Sequence, residues 1–242
     1  IFGAVGFMLG TGGSALVAYT LGTGNHKKAN EIFSLLIYVL IGIGLVFTVL
    51  GELFLAPISG ILGADAAMLP YCIQYGRVIL IALVPFMLQN VFQSLLVTAE
   101  RPQLGLYITI ISGVTNMILD ALFVAVWRLG VPGAAAATAL SQSIGGIVPL
   151  IYFLLPNKSR LRLGKTHFDM SSIVKACSNG ASEFMTNISM SIVNMLYNWQ
   201  LMRLLGTNGV AAYGVIMYVT FIFAAIFIGY SMGSAPITGY HY

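Results

Sequence analysis

The sequence has very little charge. Only 7% of its 242 residues are charged, whereas a soluble domain carries about 25%. Hydrophobic residues make up 58%, and the mean hydropathy is +0.92. A water-soluble protein of this composition would expose large apolar patches. The composition therefore excludes a soluble domain for most of the chain and predicts that lipid is its solvent.

Signatures of enzymes and cofactors are also missing. No Gly-Lys-Ser or Gly-Lys-Thr loop is present to cradle phosphates, so ATP is not the energy source within this chain. His26, His167 and His241 lie in or beside connectors and do not cluster with Cys or Asp at metal-ligand spacing. No catalytic Ser/His or carboxylate pair stands out. The sequence predicts neither an enzyme nor a cofactor, and no metal beyond a monovalent cation.

Long apolar stretches fill most of the chain. A membrane-spanning helix needs about 20 apolar residues, and seven stretches approach or exceed that length. They are separated by short connectors rich in Gly, Pro and Asn. The pattern predicts an all-α membrane protein, a polytopic helical bundle that crosses the plasma membrane several times. The stretches are Ile1–Leu21, Ile32–Ile58, Tyr71–Ala99, Leu104–Trp127, Val131–Leu155, Ile173–Leu205 and Gly209–Thr238.

The basic residues indicate the orientation. Positively charged connectors lie in the cytoplasm, which places residues 25–30, 100–103 and 156–172 on that side. Aromatic residues are not interleaved with the basic ones, so the net charge of +4 indicates orientation and not nucleic-acid binding. The cytoplasmic connectors and their flanks hold Lys27, Lys28, Arg101, Lys158, Arg160, Arg162, Lys165 and Lys175, against Arg77, Arg128 and Arg203 on the other side.

One segment recurs near the end of the chain. Residues Phe7–Val17 resemble Phe227–Ile237, 220 residues later, with Phe, Gly, Ser and Ala in register. If the segments are equivalent, the repeating unit has six spans, and two parallel units give twelve. The chain would then be a piece lacking one span at its start and four at its end. The alternative is chance similarity between two Gly/Ser-rich helix ends.

Asp120 is the most informative polar residue. A carboxylate within a span is rare and faces protein or water. Asn116 lies one turn earlier on the same helical face. Counting from a turn near Leu129–Gly130 places Asp120 and Thr138 at similar depth, and Gln142 level with Asn116. These oxygens suit a hard monovalent cation or a proton; the alternative is that they tie helices together.

The predicted sixth span carries a polar stripe within an arc of about 80°. A polar face of this kind is not expected to contact lipid. We expect it to line a substrate cavity, with a carboxylate that attracts a cationic compound, or else to form a polar seam between helices. The stripe consists of Glu183, Asn187, Ser191, Asn194 and Asn198.

The predicted third span contains Pro85, which should bend it. Gln89 and Gln93 share a face and could contact substrate or bond a neighbouring helix. Glu52 and Arg77 lie near the outer ends of adjacent spans, which predicts a structural ion pair.

Several motifs resemble those of the multidrug and toxic compound extrusion (MATE) transporters, in the family's order and over nearly the whole chain. Gly12–Val17 followed by Leu21–Asn25 resembles the second helix. The fifth, sixth and eighth helices are matched by Asn116–Asp120, Gly130–Thr138, Asn208–Gly214 and Gly233–Ile237.

The resemblance implies a twelve-helix, two-lobed antiporter that works by alternating access. It would export drugs or organic cations in exchange for sodium ions or protons, with the cation at Asn116, Asp120 and Thr138. Residues 1–163 would belong to the N-terminal lobe, helices two to six, and 164–242 would begin the C-terminal lobe. We expect a monomer whose partners are the lipid bilayer and its substrates. A helix-one carboxylate that many members use is absent from this chain.

Two alternatives remain at the level of sequence. A related flippase would move lipid-linked sugars, but it should carry cationic cavity residues, whereas this interior offers Asp120 and Glu183. A non-transporting scaffold or receptor would not need a buried Asp.

Overall fold

The computed structural model describes residues 2–61, 68–157 and 159–241, without the side chains of 2, 61, 207 and 228–241. All regular elements in this part are helical, which confirms the all-α prediction. Lys158 and the side chains of the recurring segment from 228 onward lie outside the described residues. The helices are α1 Phe2–Gly22, α2 His26–Ile61, α3 Leu69–Ile81, α4 Leu83–Thr98, α5 Pro102–Asp120, α6 Gly130–Leu154, α7 Met170–Asn179 and α8 Ala181–His241, which is interrupted at Gly206.

Most predicted spans coincide with these helices. Within the described residues, five helical segments are long and apolar enough to cross a membrane, and the pair α3–α4 makes a sixth if it counts as one broken span. The predicted sixth span, Ile173–Leu205, is different. It is divided at Gly180 into α7 and the start of α8, and it is not among the apolar segments. Its polar stripe lowers the hydropathy below that of a lipid-embedded helix.

The bend predicted from Pro85 is confirmed. Helices α3 and α4 meet at an angle of 53°, and the break falls at Ala82, about one turn before the proline. Proline has no N–H to donate to the carbonyl of Ile81, and its ring crowds that carbonyl. The helix therefore turns where that hydrogen bond is missing.

The predicted ion pair is also confirmed. Arg77 Nε lies 3.7 Å from Glu52 Oε2 and joins α2 to α3. Arg77 is exposed and Glu52 is partly exposed, so the pair stabilises the fold by only about 0–1 kcal/mol.

Glycines bring the central helices into close contact. A Cβ added to Gly10 of α1 would lie 3.0 Å from Cα of Val91 in α4. A Cβ on Gly146 of α6 would overlap the backbone carbonyl of Pro85 in α4. Small residues allow helices in a membrane to approach this closely. The core between these helices is filled by large buried side chains, among them Leu9, Phe33, Leu36, Met87, Phe92 and Phe153.

The connector segment, residues 155–169, is bound along the start of α2. The N–H of Arg162 donates to Asn30 Oδ1 at 2.7 Å, and the N–H of Gly164 donates to Ser34 Oγ at 3.0 Å. Leu161 within it is fully buried. The segment is therefore an ordered part of the structure that precedes it.

By its contacts the chain divides into two compact units, Ile1–Met190 and Ser191–Tyr242. This division falls later than the predicted lobe boundary at 163/164. The connector segment bonds to α2, and α7 packs on α1, where a Cβ on Gly12 would overlap the carbonyl oxygen of Ala176. The lobe boundary concerns the complete transporter and stays a prediction.

Candidate functional site

Asp120 lies where α5 changes its helical form. It is the last residue of the α-helix, and residues Ala121–Val126 continue as a π-helical turn. A hydrogen bond between residues five apart identifies the π turn: the N–H of Trp127 donates to the carbonyl of Leu122 at 2.8 Å. Single π turns inside α-helices occur frequently at functional sites. The turn places the only predicted intramembrane carboxylate of α5 at an irregular position.

A hydrogen bond sets the register of the hairpin formed by α5 and α6. Ser112 Oγ donates to the carbonyl oxygen of Ser141 at 2.6 Å. Because the helices are antiparallel, this bond brings the middle of α5 beside the middle of α6. The expectation that Asp120 is level with Thr138, and Gln142 with Asn116, stays a prediction.

The π turn bears on the depth of Asp120. Hydrogen bonds between residues five apart place more residues in each turn than an α-helix does. A count back from the apex at the α-helical rise does not include this effect. The same turn leaves Phe123 opposite Gly133, where an added Cβ would lie 3.2 Å from Phe123 Cβ.

The three residues of the predicted cation site are each partly exposed. Asp120 and Asn116 lie one turn apart on α5, and Thr138 lies on α6, the other helix of the hairpin. Within the described part of the chain, the Asp120 carboxylate accepts no hydrogen bond and forms no ion pair, and no hydrogen bond joins the three side chains. The arrangement supplies unpaired oxygens that can accept a cation or a proton, and the assignment stays a prediction.

A cavity of about 150 Å³ lies between α4, α5 and α6. Gln89, Gln93 and Thr109 line it, and Gly145 makes room for Gln89, since a Cβ there would lie 2.8 Å from Gln89 Oε1. Oε1 of Gln89 and Oε1 of Gln142 are buried without a hydrogen-bond partner among the described residues. A buried acceptor without a hydrogen bond destabilises the folded state. These two oxygens therefore favour a ligand or a water molecule that donates a hydrogen bond to them. Substrate contact by Gln89 and Gln93 stays a prediction.

Two residues of the polar stripe belong to the first unit. Glu183 is exposed near the start of α8. Asn187 Nδ2 donates to the carbonyl of Glu183 at 2.8 Å, a bond within the same helix. The Glu183 carboxylate thus remains available at a surface of this unit.

The other three stripe residues belong to the second unit. Asn194 Oδ1 accepts a hydrogen bond from the hydroxyl of Tyr213 at 3.0 Å. The ring of Tyr213 stacks on Tyr197 with centroids 5.4 Å apart. Ser191 is half-buried and Asn198 is exposed. The stripe therefore includes an aromatic pair that its own spacing did not predict, because Tyr213 lies beyond the break at Gly206.

The MatE family model matches residues 1–122, half of the chain. The chain belongs to the MatE family. The multidrug export protein MepA of Staphylococcus haemolyticus (strain JCSC1435) is 26% identical over 99% of this chain and 53% of the relative. The chain thus spans about half the length of the curated relatives it matches.

Solved structures agree with this membership. A multidrug resistance MATE family transporter of the MOP superfamily in its inward-facing conformation matches with a TM-score of 0.85 and 20% identity, over 91% of this chain and 51% of that one. An outward-facing conformation matches with a TM-score of 0.79 and 20% identity, over 91% and 50%. The fold is therefore that of a MATE transporter.

Membership in the MatE family confirms the resemblance predicted from the helix motifs. The proteins matched are export proteins and transporters, not enzymes. With its apolar helices, the chain is a multi-pass membrane protein, as predicted.

Proposed function

We propose that this MatE-family chain is part of an alternating-access antiporter in the plasma membrane. It exports drugs or organic cations in exchange for sodium ions or protons. Two findings support the proposal: the relatives are multidrug export proteins, and the fold matches solved MATE structures in both inward- and outward-facing conformations.

The observation that carries the coupling proposal is the unpaired Asp120 carboxylate at the junction of α5 with the π turn. An ionised carboxylate inside a membrane is costly unless a charge neutralises it. A sodium ion or a proton supplies that neutralisation. Because a ligand shifts a conformational equilibrium only through its different affinities for the two states, occupancy of this carboxylate is where the ion gradient acts.

Asn116 and Thr138 complete the proposed cation site. Asn116 lies one turn before Asp120 on α5, and Thr138 lies on α6, which Ser112 of α5 bonds through the carbonyl of Ser141. An entering ion would meet the carboxylate near the outer end of α5 and the Asn116 amide one turn deeper. Oxygen ligands of this kind suit hard cations.

Substrate recognition is proposed for two sets of residues, one in each unit. In the first unit, the unpaired Gln89 and Gln142 oxygens can accept from a protonated amine. Gln93, the exposed Glu183 and the half-buried Asn187 add polar surface. In the second unit, Ser191, Asn194 and Asn198 accompany the stacked Tyr197–Tyr213 pair, and aromatic faces attract organic cations.

Ethidium efflux from vesicles containing the full-length protein tests the function. A sodium gradient and a proton gradient are imposed separately, and the one that drives efflux identifies the coupling ion. We expect Asp120→Asn to lower gradient-driven efflux at least tenfold. Glu52→Gln is the control, because that carboxylate is paired with Arg77 and should leave the rate within about twofold.

Thermal unfolding of each purified variant separates lost coupling from lost folding. A folded Asp120→Asn protein that exports at full rate against either gradient would refute the coupling proposal. Absence of ethidium efflux in the wild-type protein would refute the export proposal itself.

The lipid-linked sugar flippase is not favoured. The relatives are multidrug export proteins, and the lysines of the described residues, Lys27, Lys28, Lys165 and Lys175, are all exposed. A flippase would need buried cations to hold a pyrophosphate.

A further inference from the structure

The cavity between α4, α5 and α6 extends inward from the connector that joins α4 to α5. Val97 and Pro102, on either side of that connector, line one end of the cavity, and Gln89 and Gly145 line the other. Gln89 precedes Val97 by about two helical turns, or about 12 Å along the axis of α4. The Gln89 end is therefore the deeper end of the cavity.

The volume of this cavity limits what it can hold. It measures about 150 Å³, whereas sites that enclose a drug-sized molecule measure about 300–1,000 Å³. One water molecule occupies about 30 Å³ in the liquid, so an ammonium group with a few carbon atoms would fill it. Gln93, Val97 and Leu106 of its wall are exposed, so the rest of a larger molecule can extend outside. The cavity therefore suits one end of a ligand.

Two buried oxygens at this deeper end accept no hydrogen bond. The Gln89 side chain lies against Gly145, where an added Cβ would lie 2.6 Å from Gln89 Cδ. Gln142 precedes Gly145 by three residues, so both lie on the same face of α6. Oε1 of Gln89 and Oε1 of Gln142 are each buried without a partner among the described residues. The deeper end therefore favours a group that donates hydrogen bonds.

Hydrogen bonding, and not charge, decides which cation this cavity prefers. All of its lining residues are among the described ones, and none of them is charged. A carboxylate attracts every cation, whereas an amide oxygen accepts a hydrogen bond only from a group that carries a hydrogen. A site that hydrogen-bonds its ligand rejects analogues without the donor, because its own polar groups then stay unpaired. Protonated primary and secondary amines have N–H donors, and quaternary ammonium compounds have none.

We propose that this cavity binds the protonated N–H end of an organic amine and selects primary and secondary amines over quaternary ammonium compounds of the same skeleton. Gln89 accepts the first N–H bond, Gln142 supplies a second acceptor, and the apolar remainder of the ligand extends past Leu106. The inference rests on the proposed export of organic cations and states which cations are preferred.

Equilibrium binding to the full-length protein in detergent micelles tests this selection. Calorimetric titration compares 4-phenylbutylamine with its N,N,N-trimethyl derivative, which carries the same charge near neutral pH. A hydrogen bond to a charged group is strong enough that the wild type should bind the amine about tenfold more tightly. Gln89→Met keeps the length of the side chain without its acceptor, and should reduce this preference to about threefold or less. Gln142→Met should reduce it to a smaller extent.

Gln74→Met is the matched control. Gln74 is an exposed glutamine of α3 that does not line the cavity, so this variant should keep the preference of the wild type. Replacing a buried acceptor that has no partner removes no hydrogen bond, so the unfolding temperature of Gln89→Met should not fall. If that variant does not yield folded protein, Gly145→Ala decides the test, because its methyl group displaces the Gln89 amide.

Three outcomes would overturn the inference. They are equal affinity of the wild type for the two compounds, a preference that both Gln89→Met and Gly145→Ala leave unchanged, and no binding of the amine, which would assign the cavity to water only. Because binding is measured without an ion gradient, its result is separate from that of the efflux assay. Ethidium efflux without an amine preference refutes this inference alone, and an amine preference without efflux refutes the export proposal alone.

Discussion

Helices α1 and α5 are both apolar, both contain glycine, and both are long enough to span a membrane, yet they are packed very differently. In the apolar part of Gly3–Gly22, 44% of the residues are buried, against 11% in Pro102–Val126. A Cβ on Gly10 of α1 would press against the backbone of α4, whereas a Cβ on Gly113 of α5 would meet nothing within 4 Å. Glycine therefore marks close helix contact in α1 but not in α5.

The difference separates the tightly packed helices from the helix that carries the proposed cation site. The α1–α4 contact is tightly packed, since added Cβ atoms on Gly6 and Gly10 would lie within 3.1 Å of the α4 backbone. Helix α5 carries the unpaired Asn116 and Asp120 side chains on a loosely packed element that ends in a π turn. The proposed cation site therefore lies on the less buried of the two helices.

The largest expected effect on stability comes from removing a large buried side chain from the packed region. Phe92 of α4 is 1% exposed and stacks on Phe153, whereas Met117 of α5 is 73% exposed. Phe92→Ala should lower the free energy of unfolding by about 3 kcal/mol, and Met117→Ala by less than about 0.5 kcal/mol. Chemical unfolding in detergent measures both. Equal losses would show that the two helices are packed alike.

The second prediction compares two glycines. A methyl group on Gly146 overlaps the backbone of Pro85, which cannot move aside as a side chain could, so Gly146→Ala should cost about 2 kcal/mol. Gly113→Ala fills open space and removes the flexibility of glycine from a helix, so it should stabilise by about 0.5 kcal/mol. Unfolding temperatures of the two variants should shift in opposite directions, and a shift in the same direction would contradict the packing described.

A smaller effect is expected at the hairpin. The Ser112 hydroxyl bonds across to Ser141 on α6, whereas the Ser143 hydroxyl bonds to Ala139 of its own helix at 2.7 Å. Interhelical bonds of this kind in membranes contribute about 0.6 kcal/mol. Ser112→Ala should therefore destabilise by about that amount and Ser143→Ala by clearly less. Hydrogen exchange of the α5 amides, followed by mass spectrometry, should accelerate only in the first variant.

The smallest effect concerns α7, which packs on α1. The Ser172 hydroxyl donates to Asp169 Oδ2 at 2.7 Å, and the N–H of Ser171 donates to Oδ1 at 3.0 Å. The Ser172 hydroxyl foremost, with these N–H bonds, holds the pKa of Asp169 below its ordinary value of 3.8. Because the folded state then binds the proton less readily than the unfolded state, the stabilisation is complete above that ordinary value. It is lost as the pH falls through the folded pKa.

This dependence is measured as the unfolding-temperature difference between the wild type and Asp169→Ala across pH. The difference should be constant near neutrality and shrink below about pH 3.8. Asp169→Asn keeps an N-cap acceptor without the charge, so its difference from Asp169→Ala should not change with pH. A wild-type difference that grows on acidification would contradict the cap described.

The sequence anticipated the features that leave a local signal. The lengths of the apolar stretches predicted most of the spans, and Pro85 predicted the bend between α3 and α4. Opposite charges near the outer ends of adjacent spans predicted the Glu52–Arg77 pair. It could not anticipate the π turn, because Ala121–Val126 contains neither Gly nor Pro to mark an irregularity. The depth counted for Asp120 could not include the π turn for the same reason, since that depth depends on how many residues each turn contains.

Long-range polar contacts were also beyond sequence reasoning. Asn30 and Ser34 look like ordinary residues at the beginning of a helix, yet they accept hydrogen bonds from residues more than 120 positions away. The bond between Tyr213 and Asn194 spans the break at Gly206. Such pairs depend on the tertiary structure, and neither partner lies in a sequence pattern that predicts the other.

The hydrogen bonds between α2 and the connector segment restrict how far this segment can extend. Fifteen unattached residues could reach about 50 Å when extended, enough to act as a loose tether. Here the backbone N–H groups of Arg162 and Gly164 are hydrogen-bonded to α2, and Asp169 caps the N-terminus of α7. The hydrogen-bonded residues of this segment therefore follow the start of α2 and do not act as a loose tether.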